Sequence, residues 1–438
     1  MLNKVFIANR GEIAFRILQT CHEMGKECVA AYAKVDAEQR HINLADDKIC
    51  ISHHDYLQID NMISAAKITG CDAIHPGYGL LSENAEFAEK AEANDLVFIG
   101  PKPSHIKKLG DKASVRQLMS SYELSPLPGS VGRLGGLVEA KALAAEIGYP
   151  VLLKAAYGGG GRGIRLLKSE QSFDEIYHEA LSEAQLSFGR SELYLEKYLS
   201  HARHIEIQVL GDGRGNVIHL GSRDCSIQRR HQKIIEEAPA PKIDAIELEK
   251  LAQNAVRAMS DLHYQSAATL EFLYQDGVFY FLEINTRIQV EHPITEMIYG
   301  VDLVKAQLTI ADTQKLPYEQ SDLKPRGCAI ECRVNAENAD FRPSPGLVTR
   351  FDPPCGNGVR VDSHVYAGYT VPHYYDSLLA KLVVHGVDRP DAVVKMQRAL
   401  REFQIDGIET GIDKLSDICR SSDFVLGNYD TQLLSDTV

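Results

Sequence analysis

Five side chains with complementary chemistry recur at every second position of one short segment. They are Glu283, Asn285, Arg287, Gln289 and Glu291. Because strand side chains alternate between two faces, these five share one face for as long as the chain stays extended. Carboxylate and amide oxygens suit a hard cation, and a guanidinium can bind an oxyanion through two parallel hydrogen bonds. The pattern predicts a site for a metal ion and an anion rather than a solvated acidic strand.

A second alternating run, residues 268–275, ends immediately before Asp276-Gly277. Asp-Gly between two alternating runs is a strong hairpin signal. A turn centred there places Glu271 opposite Glu283, so that two carboxylates and an amide meet with no Lys among them. A bound divalent metal commonly offsets like-charge crowding of this kind. We therefore expect the hairpin to carry metal ligands.

Two further segments are suited to a polyanion. Tyr157 is followed by four glycines, Arg and another Gly, between two apolar strands. Such a loop exposes backbone N–H groups and can act as a mobile lid over phosphates, with Lys154 as a point charge. Residues 223–233 hold three Arg, one Lys and one His, which indicates phosphate or carboxylate recognition in a chain otherwise acidic. A flexible hairpin tip and a solvated basic loop are the plainer alternatives.

The composition of the 438 residues excludes several classes of protein. The net charge of −13 argues against non-specific binding to nucleic acid or to an anionic membrane. No stretch approaches the ~18 apolar residues of a membrane span, and no signal-peptide core is expected at the N-terminus. Nine cysteines without a CxxC pair are expected to be reduced core residues, which favours the cytoplasm.

The elements that must position these residues fall into three groups. Strands and helices alternate up to about residue 110, which indicates a parallel sheet covered by helices. Loops at the carboxyl ends of such strands often bind ligands, and they contain Arg10, Tyr78 and Glu83. A Pro/Gly-rich segment at 125–129 marks a boundary or hinge. The predicted domains are 1–110, 111–327 with a lid subdomain at about 130–198, and 328–438.

Six motifs taken together resemble the biotin carboxylase family. They are Ala8-Asn-Arg-Gly-Glu-Ile-Ala14, His75-Pro-Gly-Tyr-Gly79, Gly158-Gly-Gly-Gly-Arg-Gly163, Arg223-Asp-Cys-Ser-Ile-Gln-Arg-Arg-His-Gln-Lys233, Glu283-Ile-Asn-Thr-Arg-Ile-Gln-Val-Glu-His-Pro293, and Ala367-Gly-Tyr-Thr-Val-Pro372 with Tyr375-Asp-Ser377. The resemblance covers essentially the whole chain, in order and at compatible spacing. It implies a fold of the α/β (α+β) class, the ATP-grasp fold. Its parts would be an N-terminal Rossmann-like parallel-sheet domain, a mobile lid subdomain and a C-terminal antiparallel-sheet domain.

The resemblance also implies a reaction. ATP and bicarbonate would form carboxyphosphate, and the carboxyl group would pass to biotin attached to a biotin carboxyl carrier protein. This is the first half-reaction of a multisubunit acyl-CoA carboxylase, with acetyl-CoA the expected acceptor and fatty acid biosynthesis the expected context. Bicarbonate is a poor nucleophile until a general base removes its proton.

The resemblance assigns roles residue by residue. Nucleotide contacts are expected from Lys112, Lys154, Gly160, Gly161, Glu196, Lys197, Tyr198, Leu199, His204, Gln228, His231, Glu271 and Glu283. Two Mg²⁺ or Mn²⁺ ions are expected on Glu271, Glu283 and Asn285. Bicarbonate or biotin is expected at Lys233, Arg287, Gln289, Val290, Glu291, Arg333 and Tyr78. The catalytic groups among them are Arg287, Lys233, Glu291 as the base for bicarbonate, and Arg333 as the stabiliser of the biotin enolate. Lys112, at the start of a predicted helix, would otherwise be taken for a surface residue.

The chain departs from the family pattern in places that bear on partners. Cys328 stands where family members often carry His, and residues 335–341 are one residue shorter than in the bacterial acetyl-CoA carboxylase form. Residues 428–431 look more like the biotin carboxylase parts of other acyl-CoA or pyruvate carboxylases. No Met-Lys-Met biotinylation site appears. The carrier and the carboxyltransferase are therefore expected as separate chains, and the resemblance suggests a homodimer.

Three alternatives to this prediction differ in function. The first is the biotin carboxylase subunit of a pyruvate or propionyl-CoA carboxylase. The second is another ATP-grasp ligase, for example one like carbamoyl phosphate synthetase. The third is a non-catalytic nucleotide-binding paralogue, which is disfavoured because every expected metal and bicarbonate residue is present.

Overall fold

The structure is a computed structural model that describes residues 1–130, 132–155, 164–189 and 191–434, without the side chains of 112, 113, 187 and 188. A five-stranded parallel sheet forms the N-terminal part, with strand order β3-β2-β1-β4-β5. Its strands are β1 (Lys4–Ile7), β2 (Glu27–Ala33), β3 (Asp47–Ser52), β4 (Ala73–His75) and β5 (Val97–Phe98). Its helices are α1 (Gly11–Glu23), α2 (Arg40–Leu44), α3 (Ile59–Ile68), α4 (Ala85–Ala93) and α5 (Pro103–Leu109).

Both faces of this parallel sheet are buried, which is why its central strand is continuously apolar. Phe6 packs into one apolar cluster, whereas Val5 and Ile7 pack into another on the opposite face. The predicted parallel sheet is therefore confirmed. The loops after β1 and β4 carry Arg10 and Tyr78, at the edge where the strands end.

A small α/β unit follows and contains the lid candidates. Helix α6 (Lys112–Ser120) precedes it and packs into a different apolar cluster. The elements of the unit are α7 (Leu137–Ile147), β6 (Val151–Ala155), β7 (Ile164–Leu167), α8 (Phe173–Phe188) and β8 (Leu193–Lys197). Antiparallel strands in the order β7-β6-β8 pack their apolar face on the two helices α7 and α8. The predicted glycine loop, with Gly160 and Gly161, lies outside the described residues.

An eight-stranded antiparallel sheet is the largest element, with the order β13-β12-β9-β10-β11-β14-β19-β17. Its strands are β9 (Arg203–Asp212), β10 (Val217–Arg229), β11 (Gln232–Ala238), β12 (Gln265–Gln275), β13 (Val278–Asn285), β14 (Cys328–Asn335), β17 (Val359–Ser363) and β19 (Leu378–Gly386). The helices α9 (Ala245–Asp261), α10 (His292–Tyr299) and α11 (Leu303–Thr313) lie between them in sequence. Strand β11 pairs with β14, so the sheet runs without interruption across residue 327.

The C-terminal part adds short strands and three helices around one apolar cluster. The strands are β15 (Gly346–Leu347), β16 (Arg350–Asp352), β18 (Thr370–Val371) and β20 (Gln404–Asp406). The helices are α12 (Arg389–Glu402), α13 (Ile412–Arg420) and α14 (Ser422–Leu426). The antiparallel pairing expected of this part is confirmed.

The cysteines bear out most of what the sequence predicts. All nine are free, and Cys328 is buried in the C-terminal apolar cluster, so a thiol is accommodated there. The expected core position is wrong for Cys50 and Cys355, which are exposed. Among the described helices, none is both long and apolar enough to cross a bilayer.

Candidate active site

The β12–β13 hairpin forms at the predicted turn, and a β-bulge between Glu271 and Phe272 brings the predicted carboxylate pair into register. Gln275 pairs with Val278 across a two-residue turn, and Asp276 and Gly277 both have positive φ, as a type I′ turn requires. Glu271 lies directly opposite Glu283. The two carboxylates predicted to share a face therefore do so.

Beyond Asn285 the chain leaves the sheet, yet the alternating residues still converge. Arg287 Nη2 donates to Asn285 Oδ1 at 2.9 Å, and Gln289 Nε2 donates to Glu271 Oε1 at 3.0 Å. Asn285 Nδ2 donates to the same Glu271 oxygen at 2.9 Å. The expected shared face thus ends with the strand, and side-chain hydrogen bonds from the following loop complete the cluster.

The prediction that no Lys lies among these carboxylates is wrong. Lys233 on β11 donates to Glu271 Oε1 at 2.9 Å and to Glu291 Oε1 at 2.7 Å. It also contacts Glu206 on β9. The Lys side chain reaches the hairpin across two intervening strands of the sheet. Sequence periodicity shows which residues share a face of one strand, but it does not show which distant strand lies nearby.

The cluster around Lys233 is ionised at neutral pH. Burial alone would raise the pKa of Glu271 and Glu291, but the charge of Lys233 lowers the pKa of both below the ordinary range. His204 Nε2 lies 3.1 Å from Glu271 Oε2. Although burial lowers it, the charge of Glu271 and the nearby Glu206 raise the pKa of His204 to about 9. The result is a buried set of alternating charges at one face of the sheet.

Glu271, Glu283 and Asn285 have the chemistry of a hard-cation site. The three offer carboxylate and amide oxygens from two hydrogen-bonded strands on one face, which suits Mg²⁺ or Mn²⁺. Glu271 is buried and accepts three N–H donors on a single oxygen. One of these donors is the Lys233 ammonium and the other two are neutral amides. Together they stabilise the ionised form of Glu271, which is the form that binds a cation. The residues present therefore fit the predicted metal.

Arg287 is anchored by a loop of the N-terminal part. Its Nε donates to Glu83 Oε2 at 2.9 Å, and Glu83 Oε1 accepts from the backbone N–H of Thr286 at 3.0 Å. Arg287 Nη1 lies 3.3 Å from Gln289 Oε1. The guanidinium is thus oriented from three sides, with Glu83 holding the edge that faces the N-terminal sheet.

Arg333 bridges two carboxylates from different elements. Its Nε donates to Glu236 Oε1 at 2.6 Å, and its Nη2 donates to Glu291 Oε2 at 3.0 Å. Glu291 therefore lies between Lys233 on one side and Arg333 on the other. Three of the four predicted catalytic residues are in direct contact, and Arg287 joins them through Gln289 and Glu271.

Two of the predicted anion-site residues lie at the boundary with the N-terminal part. Tyr78 contacts Glu12 through its hydroxyl. Lys381 lies 3.1 Å from the same Glu12 oxygen and donates to the carbonyl of Val290 at 3.0 Å. Tyr78 and Val290 are thereby linked through a buried Lys–Glu pair rather than directly.

The predicted nucleotide residues of the lid form a second cluster. Glu196 on β8 is paired with Lys154 on β6 and with Arg116 on α6. The backbone N–H of Lys197 donates to the carbonyl oxygen of Pro128 at 2.7 Å. Its ammonium donates to Gly148 O at 2.9 Å.

The remaining nucleotide candidates lie around these strands. Tyr198 accepts from Gln432 at 3.0 Å, and Leu199 is half-buried. Gln228 donates to Cys225 O at 2.8 Å. His231, at the β10–β11 turn, has its pKa lowered by burial and by the charge of Lys154. The side chain of Lys112 lies outside the described residues.

Several residues of the site were not singled out from the sequence. Glu206 and Arg116 complete the two clusters, and Glu236 holds Arg333. Glu206 alternates with His204 on one strand, so the same periodicity could have identified it. Arg223, part of the predicted basic segment, is fully buried and bound to Glu206 at 2.8 Å; it recognises a carboxylate of its own chain.

Comparison with known proteins agrees with this geometry. Family models match the biotin carboxylase N-terminal domain at residues 1–106, the ATP-binding domain of the carbamoyl-phosphate synthase L chain at 111–319, and the biotin carboxylase C-terminal domain at 331–436. The biotin carboxylase of Pseudomonas aeruginosa is 49% identical over 440 residues, covering 99% of this chain and 98% of that protein.

Solved structures are similar over the whole chain. A Campylobacter jejuni biotin carboxylase in complex with beta-gamma-ATP has a TM-score of 0.97 and 45% identity, covering 100% of this chain and 99% of that one. The biotin carboxylase domain dimer of the Hydrogenobacter thermophilus 2-oxoglutarate carboxylase, in complex with MgADP, ADP and bicarbonate, gives a TM-score of 0.97 and 45% identity over 100% of this chain and 98% of that one. The chain therefore belongs to the biotin carboxylase family.

Proposed function

We propose that this chain uses ATP and bicarbonate to carboxylate biotin carried on a partner protein. The observation that carries the proposal is the position of Glu291, buried between Lys233 and Arg333. A carboxylate flanked by two cations, beside the anchored Arg287, suits a site that binds a small anion and removes its proton. Relatives solved with ATP or with MgADP and bicarbonate support the same substrates.

Glu291 acts as the general base and Lys233 and Arg287 bind the anion. Lys233 and Arg287 are already hydrogen-bonded to other side chains of the site. Bicarbonate would compete with those side chains for both cations. Glu291 then takes the bicarbonate proton, and the resulting oxyanion attacks the γ-phosphorus of ATP, which forms carboxyphosphate as the bond to the β,γ-bridging oxygen breaks and ADP leaves. Gln289 and the backbone of Val290 lie in the same loop as Arg287 and Glu291, and they orient the bound anion.

The nucleotide binds between the hairpin and the lid strands. Lys154, Lys112 and the glycine loop contact the phosphates, and the β8 segment around Glu196 contacts the base. A divalent metal held by Glu271, Glu283 and Asn285 would supply positive charge to the phosphates. Exclusion of water by the lid protects carboxyphosphate, which hydrolyses readily.

Arg333 serves the second half of the reaction. Carboxyphosphate yields CO₂ and phosphate, the phosphate takes the ureido proton of biotin, and the biotin enolate attacks CO₂. The guanidinium of Arg333, already oriented by Glu236, places fixed positive charge where the enolate oxygen develops.

The partners follow from this chemistry. The chain works in the cytoplasm as a homodimer with a separate biotin carboxyl carrier protein and carboxyltransferase subunits, and acetyl-CoA is the final acceptor. A dimer is supported by the Hydrogenobacter thermophilus relative. That relative belongs to a carboxylase that acts on 2-oxoglutarate. Similar biotin carboxylase parts can therefore serve different acceptors, and we propose that the partner subunits determine which acceptor is used.

The reaction is tested by measuring phosphate release from ATP with Mg²⁺ and bicarbonate, with and without free biotin. We expect release that requires bicarbonate and is stimulated by biotin. If free biotin has no effect, the assay is repeated with biotinylated carrier domains. Hydrolysis indifferent to every form of biotin would contradict the proposal and favour a different ATP-grasp ligase.

The acceptor is tested separately by reconstitution. The purified chain is mixed with a carrier and with carboxyltransferases specific for acetyl-CoA, propionyl-CoA or pyruvate, and carboxylated product is followed with labelled bicarbonate. Transfer to acetyl-CoA alone would support the proposed acceptor. Transfer only to another acyl group would overturn it and leave the biotin carboxylation intact.

A further inference from the structure

Two buried carboxylates stand directly behind Arg333: Glu236, which orients its guanidinium, and Glu331, which has no role in the reaction described above. Glu236 on β11 and Glu331 on β14 are register partners in the antiparallel pair, so their side chains share one face of the sheet. Both are fully buried. Both oxygens of Glu331 and the Oε2 atom of Glu236 have no hydrogen-bond partner among the described residues.

Two cations that face this pair, Arg333 and Lys381, already have hydrogen-bond partners. Arg333, two residues from Glu331 on the same face, donates to Glu236 and to Glu291. From the neighbouring strand β19, Lys381 lies opposite Arg333, but its ammonium is bound to Val290 O and lies beside Glu12.

Helix α10 adds no cation to the pair. It packs against β14 and carries His292, and burial holds the pKa of this imidazole well below its ordinary value, so it is neutral. The charges of Lys381 and Lys233 act on the pair from a distance, and the carboxylate of Glu291 opposes them. Among the described cations, Arg333 is the one that donates a hydrogen bond to the pair, and it does so to Glu236 alone.

Like charges on residues that lie directly opposite each other in two paired, buried strands repel each other strongly. Burial raises the pKa of Glu331 well above the ordinary value, and the charge of Glu236 raises it further. Burial also raises the pKa of Glu236, although Arg333 acts in the other direction. The neighbouring cation therefore favours the charged form at Glu236 and leaves the proton at Glu331.

We propose that Glu236 and Glu331 hold one proton between them, and that Glu331 is a positioning residue which keeps Arg333 directed toward Glu291 and the bound substrate. In this state Glu236 alone holds the guanidinium from behind, with its Oε1 atom 2.6 Å from both Nε and Nη2. Nη2 also donates to Glu291 at 3.0 Å, which directs the guanidinium toward the substrate side. The effect on catalysis rests on the function proposed above, whereas the shared proton does not.

Loss of that proton has a defined consequence. A second negative charge at Glu331 draws Arg333 back toward the sheet and away from the substrate. Biotin binding should then weaken as the pH rises, while ATP binding, whose proposed contacts do not include Arg333, should change little. A merely structural role for Glu331 would alter both affinities and the stability together.

The proton itself is tested by infrared spectroscopy of the whole protein with ¹³C-labelled glutamate. At neutral pH we expect the carbonyl band of a protonated buried carboxyl group that disappears in Glu331→Gln. The control Glu402→Gln removes an exposed carboxylate paired with Arg398 and should leave the band unchanged. A band that persists in folded Glu331→Gln, or its absence from the parent protein, would overturn the proposal whether or not the chain carboxylates biotin.

The positioning role is tested by the pH dependence of KM for biotin. In the parent protein this KM should rise on the alkaline side by up to about tenfold per pH unit, the limit for one ionisation. In Glu331→Gln, where the amide stays neutral, the rise should be absent while the KM for ATP matches the parent. An identical alkaline rise in both proteins would overturn the positioning role.

A second variant covers the case in which Glu331→Gln does not fold. Glu236→Gln removes the like charge opposite Glu331 and frees Arg333 to pair with it. The infrared band should then titrate away at a lower pH than in the parent. A band that titrates at the same pH in both proteins would show that the two carboxyl groups do not share a proton.

Discussion

The proposed base, Glu291, has a basicity that depends on its neighbours. Burial alone would raise the pKa of its carboxyl group, but Lys233 lowers it, which keeps the group ionised and makes it a weak proton acceptor. In the proposed reaction, a bicarbonate anion that binds Lys233 would offset part of that positive charge. Substrate binding would then raise the basicity of Glu291 at the step in which the proton is removed.

The first expected outcome concerns Glu291→Gln, which preserves volume and removes the base. Bicarbonate-dependent ATP hydrolysis should fall about 10²- to 10⁴-fold, the usual contribution of a general base. ATP affinity, measured by equilibrium nucleotide binding, should stay within about twofold because Lys154 and the lid are untouched. An equal loss of affinity and turnover would contradict the assigned role.

Glu83 offers a second test at the scale of single residues. It fixes the Nε edge of Arg287 from a separate part of the chain, so Glu83→Gln should loosen the bicarbonate site. The KM for bicarbonate should rise about tenfold, as expected when a hydrogen bond between charged groups worth ~1.5 kcal/mol is lost. The KM for ATP should be unchanged.

The matched control for Glu83 is Glu86→Gln. Glu86 lies three residues away on α4 and pairs with the exposed Lys90. Its replacement should leave both KM values unchanged. Equal effects of the two substitutions would indicate a general electrostatic influence of this loop and not a specific hold on Arg287.

Among the elements, the β12–β13 hairpin depends on a turn that only certain residues accept. Gly277 has φ of +79° and a Cβ there would meet no atom within 4 Å, so any penalty is conformational. Gly277→Ala should lower the free energy of unfolding by about 1 kcal/mol. Gly277→Asn, which tolerates this conformation better, should lower it by less; urea unfolding measures both. Equal midpoints for Ala and Asn would argue against the conformational explanation.

This hairpin also shows what local sequence can predict. Asp276-Gly277 and the alternation on either side determine the turn and the pairing from Gln275–Val278 to Phe272–Phe281. The meeting of Glu271 with Glu283 also needs the β-bulge between Glu271 and Phe272, which the alternation does not reveal. These are interactions between near neighbours in sequence. The parallel N-terminal sheet is predictable for a similar reason, because its strands are separated by helices of ordinary length.

The approach of Lys233 to the same carboxylates was not predictable. It depends on the pairing of β9, β10 and β12 and on the curvature of the sheet they form. The same holds for Glu83 and Arg287, which are 204 positions apart in sequence. Alternation places a residue on a face, but only tertiary packing determines what the face meets.

For the molecule as a whole, buried neutral histidines should set the onset of acid instability. Burial lowers the pKa of His41 and of His75 to about 3, against an ordinary value near 6.5. Between these values the unfolded chain binds more protons than the folded one, so stability falls as the pH falls. The slope should reach about 1.4 kcal/mol per pH unit for each such histidine.

Urea unfolding between pH 6.5 and 5.5 avoids the carboxylates with lowered pKa, which lose their contribution only near and below their unfolded values of about 4. Burial raises the pKa of Glu236 to about 7, which acts in the opposite direction in this window, so the histidine contribution is read from the difference between variants. His41→Gln should show a shallower dependence on pH than the parent protein. The exposed His53→Gln should show the parent dependence. A slope unaffected by His41→Gln would assign the acid sensitivity to other groups.

The uninterrupted eight-stranded sheet has a consequence for how this chain can be divided. Cutting after residue 327 would leave β11 as an open edge, with the backbone groups that now bond to β14 exposed to solvent. Such an edge recruits other strands and promotes aggregation. Residues 111–327 and residues 328–438 should therefore not be recovered as independent soluble fragments, although they match separate family models. We therefore expect residues 111–327 and 328–438 to fold together as one cooperative unit.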